Sequence, residues 1–325
     1  MKVSVIVTSY NQKKYLIQTL GSILAQTVMP FEIIICDDYS KDGSIDVIKY
    51  YQREYPSIIK PVFQSRNLGV TLNRNTGIKL AKGDFITTLD GDDLYYPQKL
   101  EKELKKVRET NAQLVYSNVV YIDENGDETG LRYKKNMQKE GCLFEAIATL
   151  KYPAPREVLI AKSCIEQIGY PDENLKINED FDWIVRLASR FEFSSVNAPL
   201  VKHRYHAKGL HRSDRQLLLE TLESIAAKSI GLTGSCIENN KQKTFNKLES
   251  FLNLSRARVH QVKGNYQDAR KYLLQSISQD WRRSSGYDLL MRLYMPKMFK
   301  RSARLPDSLM LGPFALPFYL IRGAF

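Results

Sequence analysis

The sequence predicts an α/β fold: a doubly wound parallel sheet followed by an all-helical C-terminal region. Three observations predict it. Short β-branched and apolar runs alternate with helix-spaced segments through the first 125 residues. Acidic and polar residues stand just after four successive runs. Beyond about residue 214 only helical spacing remains. Strand–helix–strand alternation of this kind implies parallel strands joined by crossover helices.

Each element has its own signal. Residues 3–8 (VSVIVT) form a continuous apolar run, as in a strand buried on both faces. Tyr15, Leu16, Thr19, Leu20, Ile23 and Leu24 recur at helical spacing. Residues 31–36 (FEIIIC) make a second buried strand, and Ser44 is placed to cap a helix reaching Glu54. A weaker strand spans 59–63. Residues 70–82 read as a helix closed by Gly83, and 85–89 as the next strand. A helix over 97–110 carries Pro97 in its first turn. A strand over 114–122 then meets the hairpin turn Glu124-Asn125-Gly126-Asp127. Further on, 179–190 is helical and 200–205 is a strand. Helices follow over 215–230, 247–262 and 266–277, the last two meeting at Gly264-Asn265 like one tetratricopeptide-type hairpin.

Composition bounds the function. The chain has 325 residues, 43% of them hydrophobic, which excludes a disordered or collagenous chain and suits about two domains. Its four cysteines are scattered without a CxxC pair, so neither a zinc site nor a disulfide framework is expected, and all four are read as reduced thiols. Residues 1–200 carry 26 basic and 27 acidic side chains, whereas 201–325 carry 22 and 9. The positive excess therefore lies wholly in the C-terminal part and points to an anionic partner there. No leader signature or apolar run of bilayer length is present, which predicts a cytoplasmic protein.

In a wound sheet, ligands sit beyond the C-terminal strand ends. Those ends carry Ser9-Tyr10-Asn11, Asp37-Asp38, Arg66-Asn67 and Asp90-Gly91-Asp92-Asp93. Alternate aspartates leaving the strand FITTL point the same way and repel one another unless a cation or a ribose hydroxyl lies between them. Hard oxygen donors suit Mg²⁺ or Mn²⁺. The residues alone suit a polar turn equally well.

The ordered set VSVIVTSYN, Gln26-Thr27, FEIIICDDYSKDGS and RNLGVTLNRNTGIKLAKGDFITTLDGDD resembles family-2 glycosyltransferases over residues 1 to about 100, with a thinner continuation to about 210. The resemblance implies a GT-A fold, a Rossmann-like wound sheet, with a catalytic domain over 1–212 and a helical, basic region over 213–325. It implies an inverting transfer of one sugar from a nucleoside-diphosphate sugar, UDP favoured, to an acceptor hydroxyl, with a glycan or lipid-linked acceptor in cell-surface polysaccharide synthesis. The donor nucleotide is then held by Thr8, Tyr10, Asn11, Asp38, Asn67, Arg74, Asp90 and Arg204, with Asn75 nearby. Asp92 and His206 are the ligands of a divalent cation, Mg²⁺ or Mn²⁺. Asp180, in the acidic pair Glu179-Asp180 heading a helix, is the catalytic base. The Gln/Arg-x-x-Arg-Trp segment of processive synthases is absent, which favours one sugar per visit.

The chain from 281 to 325 carries eight basic and two acidic residues among aromatic and apolar ones, ending in SLMLGPFALPFYLI. Such a surface suits peripheral contact with an anionic membrane, on the inner face of the plasma membrane. A nucleotidyltransferase is the alternative enzyme, although TSYNQKKY lacks a glycine-rich phosphate loop. A nucleic-acid partner is not expected, because no aromatic stacking platform accompanies the basic residues.

Overall fold

The computed structural model describes residues 1–134, 137–205, 215–238, 241–280 and Leu289. It contains two compact units. The first takes in Met1–Cys142, Pro155–Leu187 and the chain from Phe191 through the last strand. The second takes in Leu143–Ala154, Ala188–Arg190 and the helices after residue 214.

The first unit is a sheet with helices. Its opening strands are β1 (Val3–Ser9), β2 (Glu32–Asp37), β3 (Ile59–Phe63) and β4 (Phe85–Asp90). Between them run α1 (Lys13–Leu24), α2 (Ser44–Glu54) and α3 (Val70–Leu80). The later elements are β5 (Leu94–Tyr95), α4 (Lys99–Thr110), β6 (Leu114–Ile122), β7 (Glu128–Leu131), β8 (Leu159–Ala161), α6 (Lys162–Ile168), α7 (Glu179–Arg190) and β9 (Phe193–Arg204). Among the described residues nine strands form one sheet, ordered β3-β2-β1-β4-β8-β6-β9-β5, with β7 on β6. Strands β1 to β4 are mutually parallel, as are β6 and β9. Strand β8 runs antiparallel to both β4 and β6, so the sheet is mixed rather than wholly parallel.

The core follows from the apolar runs. All seven residues of β1 are buried, and Leu16, Leu20 and Ile23 of α1 are buried with them. A central strand covered on both faces needs no polar alternation, hence VSVIVTS.

Two caps differ from expectation. Ser44 lies inside α2, whose N-cap is Gly43 at φ +92°. The Ser44 hydroxyl instead donates to Asp42 Oδ1 at 2.6 Å and accepts from the Gln12 amide at 3.2 Å. Helix α3 ends at Leu80 with Ala81 extended, so Gly83 is not its cap. A Cβ on Gly83 would lie 2.7 Å from the Ser4 amide nitrogen: this glycine lets the chain press against β1.

The second unit is helical: α5 (Phe144–Ala148), α8 (Arg215–Ile230), α9 (Ser235–Glu238), α10 (Lys241–Val262) and α11 (Tyr266–Gln279). Gly264 turns the chain between α10 and α11 at φ +76°, and Leu254, Ala257, Ala269, Leu273 and Leu289 form the core of that hairpin. The cysteine expectation is corrected in part. Cys36 and Cys164 are free and buried, but Cys142 and Cys236 are disulfide-bonded. Nothing in their spacing signals a bond.

Candidate active site

The register aligns the acidic strand ends. Ser9 of β1 pairs with Asp37 of β2, and Thr8 of β1 with Asp90 of β4. The DxD turn is stitched to its surroundings by backbone as well as side chains. The Gly91 amide donates to the Thr8 carbonyl at 2.8 Å, and the Thr19 hydroxyl donates to the Gly91 carbonyl at 2.9 Å. A side chain at position 91 would collide with the Thr8 carbonyl 2.9 Å away, so only glycine fits between the two aspartates.

Asp90 is held by two donors on one oxygen. Thr8 Oγ1 donates to its Oδ1 at 2.7 Å, and Arg74 Nη2 does so at 3.0 Å. Burial alone would raise this carboxyl, but the Arg74 charge and the Thr8 hydroxyl bring it down to about 2. Arg74 also donates from Nη1 to Glu179 Oε1 at 2.7 Å, so one guanidinium ties β4 to the head of α7. Burial opposes the Arg74 charge, yet Asp90, Glu179 and Asp180 carry its pKa well above the ordinary arginine range. Glu179 itself is raised, first by burial and then by Asp180, against the pull of Arg74.

Helix α7 is fixed so that its acidic tip meets Arg74. Trp183 Nε1 donates to the Gly169 carbonyl at 2.9 Å, and Arg186 donates to the carbonyls of Ile168 and Tyr170 at 3.0 and 2.8 Å. Asn178, in the left-handed region at φ +58°, begins the helix. Asp180 is half-buried, and its Oδ1 accepts from the Phe181 amide at 2.8 Å.

One cleft has Arg74, Asp90, Arg156, Glu157, Asp180 and Trp183 in its wall. It thus brings together Asp90, Arg74 and Asp180, three of the residues singled out from the sequence.

Other expected residues stand differently. Asp38 is buried and its two carboxylate oxygens accept from the amides of Leu68 and Gly69 at 2.7 and 2.9 Å, which pins the loop after β3. Asn67 is exposed and only approaches the Asp38 carbonyl, at 3.5 Å. Asn75 donates to the Pro171 carbonyl and to Glu173, both at 3.0 Å. Tyr10 is exposed, and Asn11 Oδ1 accepts from the Lys41 amide at 2.8 Å. His206 lies outside the described residues.

Arg204 is engaged within the protein. A diphosphate ligand needs an open guanidinium, but that of Arg204 is buried. Its Nε donates to the Asp92 carbonyl at 3.0 Å and its Nη1 to the Asp123 carbonyl at 3.2 Å. Its Nη2 donates to Gln18 Oε1 at 2.9 Å, and the group stacks 4.7 Å from the Tyr15 ring centroid. Arg204 therefore clamps the DxD turn from behind. Beside it, Asp93 Oδ1 accepts from the Arg204 amide at 2.8 Å and Oδ2 pairs with His203 Nδ1 at 2.7 Å. Burial, with Arg156 nearby, lowers His203 to about 4, so the ring is neutral near pH 7.

Two residues of the cleft wall were not foreseen, Arg156 and Glu157. They precede β8, and the rule applied to the sequence inspects residues that follow strands. Because β8 is antiparallel to β4, with Ala161 opposite Phe85 and Ile160 opposite Ile86, the residues that precede β8 run toward the C-terminal end of β4, and Thr87 Oγ1 donates to the Glu157 carbonyl at 3.2 Å.

The profile described as glycosyl transferase family 2 matches residues 4–161. An uncharacterized glycosyltransferase of Methanocaldococcus jannaschii is 31% identical over 210 residues, which are 62% of this chain and 70% of that protein. The chain belongs to glycosyltransferase family 2. This glycosyltransferase is also 28% identical over 215 residues to the uncharacterized glycosyltransferase YwdF of Bacillus subtilis, which are 66% of this chain and 78% of YwdF. It is 39% identical to an uncharacterized glycosyltransferase of Nostoc sp. over 125 residues, which are 38% of this chain and 38% of that protein. Among solved structures, S. aureus TarS 1-349 in complex with UDP-GlcNAc superposes with a TM-score of 0.64 at 19% identity, covering 100% of this chain and 93% of TarS 1-349. The same fragment in complex with UDP gives 0.62 at 21%, covering 93% and 87%. The architecture is that of the GT-A fold.

Proposed function

We propose that this glycosyltransferase moves one sugar, with inversion, from a nucleoside-diphosphate sugar to an acceptor hydroxyl. One observation carries the reading: Asp90, Asp180 and two arginines share a single cleft at the C-terminal edge of β1 and β4. The solved TarS fragment binds UDP and UDP-GlcNAc, which supports UDP as the donor nucleotide. The catalytic part is the segment 1–212, with 213–325 as an accessory region. The acceptor is a glycan or lipid-linked glycan of the cell surface, reached from the cytoplasmic face with the basic tail against anionic lipid. That tail lies outside the described residues, and among those residues no helix is long and apolar enough to cross a membrane.

In this mechanism Asp180 takes the proton of the acceptor hydroxyl as that oxygen bonds to the anomeric carbon. The bond from that carbon to the diphosphate breaks, and the nucleoside diphosphate leaves with the electron pair. Asp90 faces the ribose or the sugar. The donor set fits a hard cation: half-buried Asp92 leads from a turn whose backbone is clamped by Thr19 and Arg204. Asp92 and His206 would hold Mg²⁺ or Mn²⁺, which supplies positive charge for the departing diphosphate.

A thermal-shift series tests this reading. UDP with Mn²⁺ should stabilise the wild type by roughly 2.7 kcal/mol at a hundredfold excess over Kd. Asp92→Ala should lose the Mn²⁺-dependent part of that shift. Equal shifts from every nucleotide, with and without metal, would sink the proposal.

A further inference from the structure

Three arginines pack at this edge of the sheet, and two of them give both terminal nitrogens to the protein. Arg74 gives its two terminal nitrogens to Glu179 and Asp90. Arg204 spends its guanidinium on backbone carbonyls and Gln18. Arg156 differs. Its Nε meets Glu157 Oε1 at a long 3.4 Å, and among the described residues neither of its Nη groups makes a hydrogen bond. The side chain is 25% exposed, and it lines the cleft together with Asp90 and Asp180.

We infer that Arg156 builds an anion subsite in the cleft and takes the diphosphate of the donor on its two open Nη groups. The inference rests on the donor reading proposed above. A planar guanidinium matches phosphate oxygens with two parallel donors, which an ammonium cannot do. The diphosphate is also where negative charge grows as the sugar leaves, so a fixed cation there acts on the transition state. Burial opposes the charge of Arg156, and the nearby acidic groups Glu157, Asp180, Asp93 and Asp90 favour it.

The backbone beneath Arg156 is held from behind. The Glu157 carbonyl accepts from Lys99 Nζ and from Thr87 Oγ1, both at 3.2 Å. Lys99 is wholly buried and anchored to Glu103 at 2.6 Å. Glu157 sits in the left-handed region at φ +44°, a conformation a non-glycine residue keeps only where its surroundings impose it. Arg156 is thus mounted on a fixed support, as a preorganised electrostatic group requires.

The test is calorimetric binding of uridine, UDP and inorganic pyrophosphate, each with Mn²⁺, to the full chain. The proteins are wild type, Arg156→Gln and Arg156→Lys, with melting curves as the folding check. The expected result is at least a tenfold loss of UDP and pyrophosphate affinity in Arg156→Gln, a smaller loss in Arg156→Lys, and unchanged uridine binding. Folded Arg156→Gln that binds UDP and pyrophosphate within twofold of wild type overturns the subsite. Should Arg156→Gln fail to fold, Arg156→Lys decides, because it keeps the charge and loses the fork; wild-type affinity for both phosphates then overturns the subsite. Wild type that binds pyrophosphate through Arg156 but not UDP overturns the donor reading alone. Wild type that binds neither overturns both.

Discussion

Glu179 Oε1 accepts a 2.7 Å hydrogen bond from Arg74 Nη1 across 105 residues of chain. The same guanidinium reaches Asp90 at 3.0 Å, so the DxD strand end and the head of α7 share one buried cation. Removing one partner of a buried ion pair strands the others in low dielectric, at a cost of about 3–5 kcal/mol. Arg74→Met should therefore lose about that much stability in a denaturant titration. Glu179→Gln keeps an acceptor oxygen for Nη1 and should cost clearly less. Equal stability of Arg74→Met and wild type would show that this bridge does not hold the cleft together.

A second buried pair supports the cleft from below. Lys99 and Glu103 are both fully buried, 2.6 Å apart, and burial raises the Glu103 carboxyl against the pull of Lys99. Lys99→Met leaves that carboxyl without its cation, so it should take up a proton rather than stay charged. A carboxyl whose folded pKa lies above its unfolded value stabilises most below the unfolded pKa, and the contribution is lost as pH rises through the folded pKa. Lys99→Met should thus be nearer wild-type stability at pH 4 than at pH 7. The double variant Lys99→Met with Glu103→Leu should recover most of the loss, since apolar replacement of both partners is often near neutral. A stability gap for Lys99→Met that is flat across this pH range would exclude this account.

Thiol counts give a third check. Burial pushes the Cys36 and Cys164 thiols up to about 12, so neither forms a thiolate at pH 8. Ellman's reagent should find almost no reactive thiol in the native chain, two after denaturation without reductant, and four after denaturation with reductant. Four thiols without reductant would return Cys142 and Cys236 to the reduced state read from the sequence.

Much of the sheet was legible because its central strands are continuous apolar runs. β3, β6 and α7 begin and end where the sequence placed them, and α2 ends at Glu54 as expected although it begins at Ser44 itself. The elements that escaped notice are short: β5 has two residues and β8 three, too few to show a period. That matters for the site. Asp90 stands at a strand end that the wound-sheet rule inspects, whereas Arg74 and Asp180 are named only through the resemblance, from the N-R-N segment and the acidic pair that heads α7. Arg156 could not be found, because only the reversed direction of β8 brings a residue before a strand to the catalytic edge. Arg204 is named through the resemblance, and its hydrogen bonds to carbonyls of Asp92 and of the 123–124 turn are contacts that pattern reading does not see.

Asp180 offers the sharpest kinetic prediction. It lines the cleft with Asp90, and its Oδ1 is oriented by the Phe181 amide. Asparagine is the same size and keeps that acceptor, so Asp180→Asn should fold, melt near wild type and bind UDP with unchanged affinity. It cannot accept the acceptor's proton. A lost general base costs roughly 10²–10⁴ in rate, so turnover should fall at least about a hundredfold while the KM for the donor moves little. Asp180→Asn with full turnover would assign the base elsewhere, and Glu179, already bound to Arg74, would be the next carboxylate to test.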